Sequence, residues 1–365
     1  LTHPAGHGEE ASGRTGGLLA VHAHPDDETL SNGALLATWA ATGRPVTVVT
    51  CTRGERGEVI PPDLRHLQGD GPALARHREQ EVAAALAALG VTDHVFLDRV
   101  PATDAAGEAA GGTDIGTPSA ERRFEDSGMA WAGAGRATAA DDVPAAAFVR
   151  VPLEDAAARL ATVLRARRPA VVVGYEPGGG YGHPDHVRAH EVLHRAVELA
   201  GTGPDGRAGA WQVPVVLWTV VEDETWRAAL HQLATTCPDG PGDASAPDDP
   251  SGTARAASAP GGPSVGRDGL EVPRADAPPS VVRPGPVDVR VPVAPVLGRV
   301  LTALVAHRSQ VHAVGREPDG GVAVARFALS NDVLQPVLRD ETYVVAAGRA
   351  QDVDWPVGVT TVGHG

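Results

Sequence analysis

Short β-branched runs alternate along this chain with segments of helical spacing, and that alternation restricts the fold more than any other feature. GLLAVH at 17–22, PVTVVTCT at 45–52, the run at 94–97 and AVVVGY at 170–175 each read as a buried strand. Between them, 29–42 puts Leu30, Ala34, Leu35 and Trp39 on one helical face, and 73–89 reads as a helix stopped by Gly90. Residues 154–168 and 186–199 are helical again, and 213–221 is a further strand. Strand and helix in alternation predict an α/β fold, a Rossmann-like and mostly parallel sheet with helices on both faces.

The pattern divides the chain. Residues 1–16 read as a flexible N-terminus and 17–234 as the Rossmann-like catalytic domain, within which 99–147 is a long functional loop. Proline, glycine, serine and alanine dominate 235–286, too few large apolar groups to offset the cost of ordering, so a flexible low-complexity insertion is expected there. A strand at 287–293, a helix at 294–307 and the runs 322–338 and 343–347 form a smaller C-terminal portion, 287–365, packing on the catalytic domain.

Charge and residue usage exclude whole classes of function. A net charge of -15 over 365 residues repels phosphate backbones and anionic lipid, so neither nucleic acid nor membrane is expected as a partner. The chain contains no lysine, which removes Schiff-base and Walker chemistry. Cys51 and Cys237 are far apart and do not resemble a disulfide framework, which suits a reducing cytoplasm. No apolar run is long enough to span a bilayer, and the first 16 residues lack a signal-peptide core. Nothing in the sequence sets the oligomeric state.

Two clusters carry chemistry: His22-Ala23-His24-Pro25-Asp26-Asp27-Glu28 and Tyr181-Gly182-His183-Pro184-Asp185-His186. Each follows a predicted parallel strand. Ligands of open α/β sheets bind at the carboxyl ends of strands, so both clusters should meet in one crevice. Zinc takes imidazole and carboxylate ligands, and catalytic sites commonly use three. Pro25 and Pro184 stiffen the two turns. The competing reading is that Asp26, Asp27 and Glu28 cap the following helix, and for Glu28 the two readings weigh the same.

The remaining histidines are read conservatively. His66, His77, His94, His194, His307 and His312 receive no role, His22 divides between packing and support of the site, and His190 is structural or supporting. Glycines 178–180 allow phosphate binding, but the adjacent His183, Asp185 and His186 favour a metal-site hinge. No G-x-G-x-x-G follows the first strand, and no G-x-S-x-G elbow occurs.

At these residues the chain resembles the LmbE-like, or PIG-L-like, N-acetylglucosaminyl deacetylases, whose His-Pro-Asp-Asp-Glu and His-Pro-Asp-His motifs stand here at 24–28 and 183–186. SNG at 31–33, CTRGERGEVI at 51–60, DSGMA at 126–130, GGYGHPDH at 179–186 and LSNDVLQPVL at 329–338 extend the likeness over most of the chain, toward the branch acting in mycothiol biosynthesis. The resemblance implies zinc, one ion per chain with ferrous iron as the alternative, held by His24, Asp27 and His186. It makes Asp26 the general base. Tyr181 and His183 stabilise or protonate the tetrahedral intermediate, and Asp185 orients His183. Glu58, Arg78, Asp126 and Met129 line a sugar–inositol pocket. The implied reaction is hydrolysis of the acetamide of a small amino-sugar substrate, N-acetylglucosaminyl-inositol. A mycothiol S-conjugate amidase or another N-acetyl sugar deacetylase of the same superfamily is the alternative. Whether His183 or Asp26 delivers a proton to the departing amine stays open.

Overall fold

The computed structural model describes residues 16–101, 123–131, 137–202, 209–236, 270–272 and 278–362. The expected flexible N-terminus and most of 235–286 lie outside them.

The first half runs β1 (Leu18–His22), α1 (Asp27–Ala40), β2 (Val46–Thr50), α2 (Gly71–Leu89) and β3 (Asp93–Phe96). Two three-residue strands, β4 (Met129–Trp131) and β5 (Ala137–Ala139), pair within the long loop. Then follow α3 (Leu153–Arg167), β6 (Val171–Tyr175), α4 (Pro184–Thr202), β7 (Val215–Glu222) and α5 (Asp223–Thr236). The C-terminal part adds β8 (Val282–Arg283), β9 (Val289–Pro292), α6 (Leu297–Ala306), β10 (His312–Arg316), β11 (Ala323–Ala328), β12 (Leu334–Leu338), β13 (Asp340–Gly348) and β14 (Thr360–Thr361).

The main sheet has the order β14-β9-β13-β7-β6-β1-β2-β3. It is parallel from β7 to β3, with Leu18 of β1 level with Val46 on one side and Val171 on the other. Strand residues alternate between two cores. Leu18, Ala20, Val46 and Val48 pack under α1, α2 and α6, whereas Leu19, Val21, Val49 and Val172 pack under α3 and α4. Both faces are covered, which is why the strands read as continuous apolar runs.

The C-terminal portion does more than pack against this sheet. Its β13 pairs antiparallel with β7, and β9 and β14 continue the sheet beyond. An exposed β7 edge would leave a row of unpaired backbone groups, and β13 removes it. Strands β10, β11 and β12 form a separate small sheet. Two further differences from the sequence reading stand out. The helix α5 was not anticipated, although Trp226, Ala229, Leu230 and Leu233 are buried at helical spacing. Parts of the expected insertion are also built into the fold: Glu271 bridges to Val333, and β8 pairs with β7.

Sheet order places the site. Chain connections from β1 run to β2 on one side, while its other neighbour is β6, so a switch point opens between β1 and β6 at their carboxyl ends. The loops leaving both strands carry the two histidine–aspartate clusters.

Candidate active site

Asp27 stands between two imidazoles. Its Oδ2 lies 3.3 Å from His24 Nδ1 and its Oδ1 lies 3.3 Å from His186 Nε2. Hydrogen bonds fix which ring atoms point inward. His186 Nδ1 donates to the Gly179 carbonyl at 3.1 Å, and its buried Nε2 has no hydrogen-bond partner among the described residues. The far edge of His24 is used in the same way, with Nε2 3.2 Å from Asp185 Oδ2. In their neutral forms His24 Nδ1 and His186 Nε2 face the Asp27 carboxylate with lone pairs, a repulsion that a proton or a metal cation among them relieves. Ligand atoms of His24, His183 and His186 fall within 4.8 Å of one another, as do those of His24, Asp126, His183 and Asp185, and Asp27 belongs to neither group. In His183, however, Nδ1 accepts the Asp185 N–H at 3.1 Å, so the neutral ring carries its proton on Nε2 and is a donor there. Two imidazoles and a carboxylate, as at His24, Asp27 and His186, are donors of the kind zinc takes.

Burial would lower His24, but Asp126, Asp185 and Asp27 hold it well above its ordinary value. Burial would raise Asp27, and His186 and His24 pull it well below the carboxylate range. His183 is depressed by burial and by the charges of His24 and His186.

Asp26 is held by an arginine. Its carboxylate meets Arg78 Nη2 at 3.1 Å, and Arg78 also donates to the carbonyls of Pro25 and Gly54. Burial raises Asp26, Arg78 opposes that shift, and the charge of Asp27 adds to it. Gly54 admits the guanidinium: at its φ of +64° a Cβ would stand 1.8 Å from Arg78 Nη1.

The loop after β6 is wrapped around its own carboxylate. Gly178 and Gly180 donate to Glu176 at 2.5 and 2.8 Å, so the glycine run binds an internal anion rather than a phosphate. Gly179 at φ +67° is packed so that a Cβ would lie 2.8 Å from Val187 N and 2.9 Å from His186 Cβ.

Known proteins match this chain. The family described as PIG-L, GlcNAc-PI de-N-acetylase, matches residues 19–197. A protein of Kineococcus radiotolerans named 1D-myo-inositol 2-acetamido-2-deoxy-alpha-D-glucopyranoside deacetylase is 42% identical over 91% of this chain and 78% of its own length. A protein of the same name from Rhodococcus opacus is 38% identical over 92% of this chain and 94% of its own. The chain belongs to the PIG-L, or LmbE-like, deacetylase family. Members of this family are metal-dependent N-deacetylases, which agrees with the converging lone pairs at His24, Asp27 and His186.

Within this PIG-L site the expected residues fall into three groups. His24, Asp26, Asp27, His183, Asp185 and His186 come together, and the half-buried Tyr181 ring lies edge-on to His186 at 5.0 Å. Burial, above all, pushes its hydroxyl up, so it stays protonated. Asp126 joins them, buried 3.7 Å from His24 Nε2, with its oxygens accepting from Gly128 N and Arg56 N. Glu58, by contrast, is exposed and Met129 is half-buried on β4. Two of the expected residues also make contacts of another kind. The Asp185 carboxylate faces His24 and takes both the N–H and the hydroxyl of Ser127, so only its backbone N–H meets His183. Arg78 is 3% exposed and engaged by Asp26 and two carbonyls, which leaves it little to offer an inositol.

Sequence reasoning passed over two partners. Tyr175 stacks on His186 at 4.3 Å, and its hydroxyl accepts the Ala23 N–H at 2.9 Å. Its place at the carboxyl end of a strand, just before the glycine run, was the available signal. His307 donates to Glu28 at 2.6 Å across 279 positions, and nothing local in the sequence could have indicated it. His22 is buried with neither ring nitrogen partnered among the described residues, and burial lowers it to about 4, so it packs as a neutral ring. His190 supports the β6 end by bonding the Tyr175 carbonyl at 2.9 Å.

Proposed function

We propose that this chain hydrolyses the acetamide of N-acetylglucosaminyl-inositol to glucosaminyl-inositol and acetate, a step of mycothiol biosynthesis, with zinc held by His24, Asp27 and His186. One observation carries the chemistry: two imidazoles, each with its outer ring nitrogen engaged, flank the Asp27 carboxylate, and a second carboxylate, Asp26, stands beside it in sequence and is held by Arg78. The names of the relatives that cover most of the chain carry the substrate.

Zinc bound there would supply Lewis acidity toward the acetamide oxygen and acidify a water. Asp26 takes a proton from that water as it adds to the acetamide carbon. Arg78 holds the Asp26 carboxylate in one orientation. The developing oxyanion is met by the Nε2–H of His183 and the protonated Tyr181 hydroxyl. The C–N bond then breaks as the proton on Asp26 reaches the nitrogen, leaving acetate and a free amine. His183 serves in this scheme as a hydrogen-bond donor, which follows from its Nδ1 accepting the Asp185 N–H. Asp126, Glu58 and Met129 stand as the contacts to sugar and inositol. A cavity of about 540 Å³ is lined in part by Asp27, Tyr181 and His186, so two of the three proposed ligands are reachable from it.

Among the described residues no helix is long and apolar enough to cross a membrane. A cytoplasmic setting and a small-molecule partner are part of the proposal. The zinc-loaded protein should release acetate from N-acetylglucosaminyl-inositol with a higher kcat/KM than it shows for cleaving a mycothiol S-conjugate. The reverse order would make it the conjugate amidase.

A further inference from the structure

The backbone of Asp26 is held where an L-residue rarely sits, at φ 115°. Such strained conformations persist only where surrounding contacts enforce them. Here the Asp26 N–H donates to Glu28 Oε2 at 2.9 Å, and the Asp26 carbonyl accepts from Thr29 and Leu30 at 2.9 Å each. Glu28 is itself fully buried and needs partners for its other oxygen. Oε1 accepts from the Thr29 hydroxyl at 2.6 Å and from His307 Nε2 at 2.6 Å.

His307 is as firmly placed as the group it holds. It follows α6 with 0% exposure, and its carbonyl accepts from Gln310 and Val311 at 3.0 and 2.8 Å. Two residues on, Ser309 gives both its N–H and its hydroxyl to Glu81 of α2, at 2.7 and 2.6 Å. The Ser309 carbonyl accepts from Ile60, in the loop that also carries Glu58, at 3.1 Å. Segment 307–309 is thus tied to α1, to α2 and to the loop after β2.

We infer that Glu28 and His307 are positioning residues for the reaction: the His307–Glu28 hydrogen bond fixes the oxygen that holds the Asp26 amide, and so aims the Asp26 carboxylate. The C-terminal portion then belongs to the catalytic apparatus through His307. A pair that only neutralised a buried carboxylate would alter stability and leave turnover by the folded protein unchanged. The inference rests on the reading of Asp26 as the proton acceptor.

The test compares zinc-loaded parent, His307→Ala, His307→Asn and His307→Gln. Zinc content, thermal midpoint, kcat and KM for N-acetylglucosaminyl-inositol, and the Asp26 amide resonance in ¹⁵N-aspartate-labelled protein are measured. His307→Ala should keep its zinc and lose kcat about 10- to 100-fold, in the range of outer-shell substitutions at metal sites. KM should change less than about twofold and the Asp26 amide should shift. The Gln amide reaches as far as Nε2, so His307→Gln should recover most of the kcat and the parental resonance, while the shorter Asn should not. If His307→Ala does not fold, the contrast between Gln and Asn decides. A folded His307→Ala with parental kcat overturns the inference, as does an unmoved Asp26 amide in all three variants. Absence of turnover in the parent would instead strike the deacetylase reading, and the amide resonance would still report whether His307 holds Asp26.

Discussion

The Arg78 guanidinium, on α2, lies 3.1 Å from the Asp26 carboxylate, at the start of α1, and the same side chain grips the Pro25 carbonyl beside it. With its bond to the Gly54 carbonyl at 2.9 Å, Arg78 locks the loops after β1 and β2 together. An arginine does this with several fixed donors at once, which a lysine could not.

That geometry predicts how Arg78→Met will behave. Loss of an inositol contact would lower kcat/KM for the inositol conjugate and spare N-acetylglucosamine. Loss of the hold on Asp26 would lower both alike, by about 10- to 100-fold as for other supporting residues of metal sites, with zinc content unchanged. Parallel kinetics on the two substrates separate these outcomes, and the parallel loss is expected. A loss confined to the conjugate would return Arg78 to the substrate pocket.

Substitutions in the trio should divide from substitutions beside it. His24→Ala, Asp27→Ala and His186→Ala each remove a lone pair aimed at the proposed ion, so all three should purify with reduced metal. Asp26→Asn keeps the shape and the backbone bonds while removing the basic oxygen, and should retain metal while losing most turnover. Metal analysis of the four proteins checks the division. Metal-poor Asp26→Asn would mean that Asp26 is a ligand.

The meeting of the clusters at 22–28 and 181–186 was legible because each follows a strand whose apolar run marked it as buried and parallel, and such strand ends meet at a switch point. Parallel order therefore followed from composition, but its limit did not. That β13 would close the edge of β7 depends on Tyr343 meeting Thr219, a pairing across more than a hundred positions with no local signal. The same holds within the site. Asp185 could be placed near the metal from its motif, yet which histidine its carboxylate faces was decided by two donors on Ser127. Glu28 read equally as a helix-capping residue and as a functional one, and His307 resolves what it contacts.

Glu341, on β13, supplies a pH-dependent test away from the metal. The helix α1 breaks at Asn32, where φ is −138° and ψ 15°, and Glu341 accepts from Ala34 N at 2.7 Å and Leu35 N at 2.8 Å, capping the second half. Burial raises it from 4.5 to about 7 despite those bonds and one from the Tyr343 hydroxyl. A carboxyl raised on folding binds a proton that the unfolded chain has lost. Its stabilisation is complete below its unfolded value and disappears as pH rises through about 7. Glu341→Gln is neutral throughout and keeps an acceptor for the helix. The parent's thermal midpoint should fall more steeply than the variant's between about pH 5 and pH 8, and the variant should be the more stable at the upper end. Parallel curves would show that the capping bonds hold Glu341 ionised.

The last prediction concerns the proline- and glycine-rich stretch between α5 and β9, which is two things in one. Its composition across 242–264 offers almost nothing to bury, and removing those residues should leave folding and kcat/KM near parental values. Residues 278–283 are different. The Ser280 hydroxyl bonds Glu176 at 2.8 Å and the Gly180 carbonyl at 2.7 Å, Val281 N donates to that same carbonyl at 2.9 Å, and β8 extends β7. These contacts clamp the glycine loop immediately before Tyr181 and His183, the groups that would meet the oxyanion. Deleting 278–283 should cost more than about tenfold in kcat/KM, or roughly 1.4 kcal/mol of transition-state stabilisation, even in protein that remains folded. Ser280→Ala should show a smaller loss in the same direction. Parental kcat/KM in the shorter, folded protein would mean that Glu176 alone holds the loop, and damage from removing 242–264 would mean that this part also packs on the pocket.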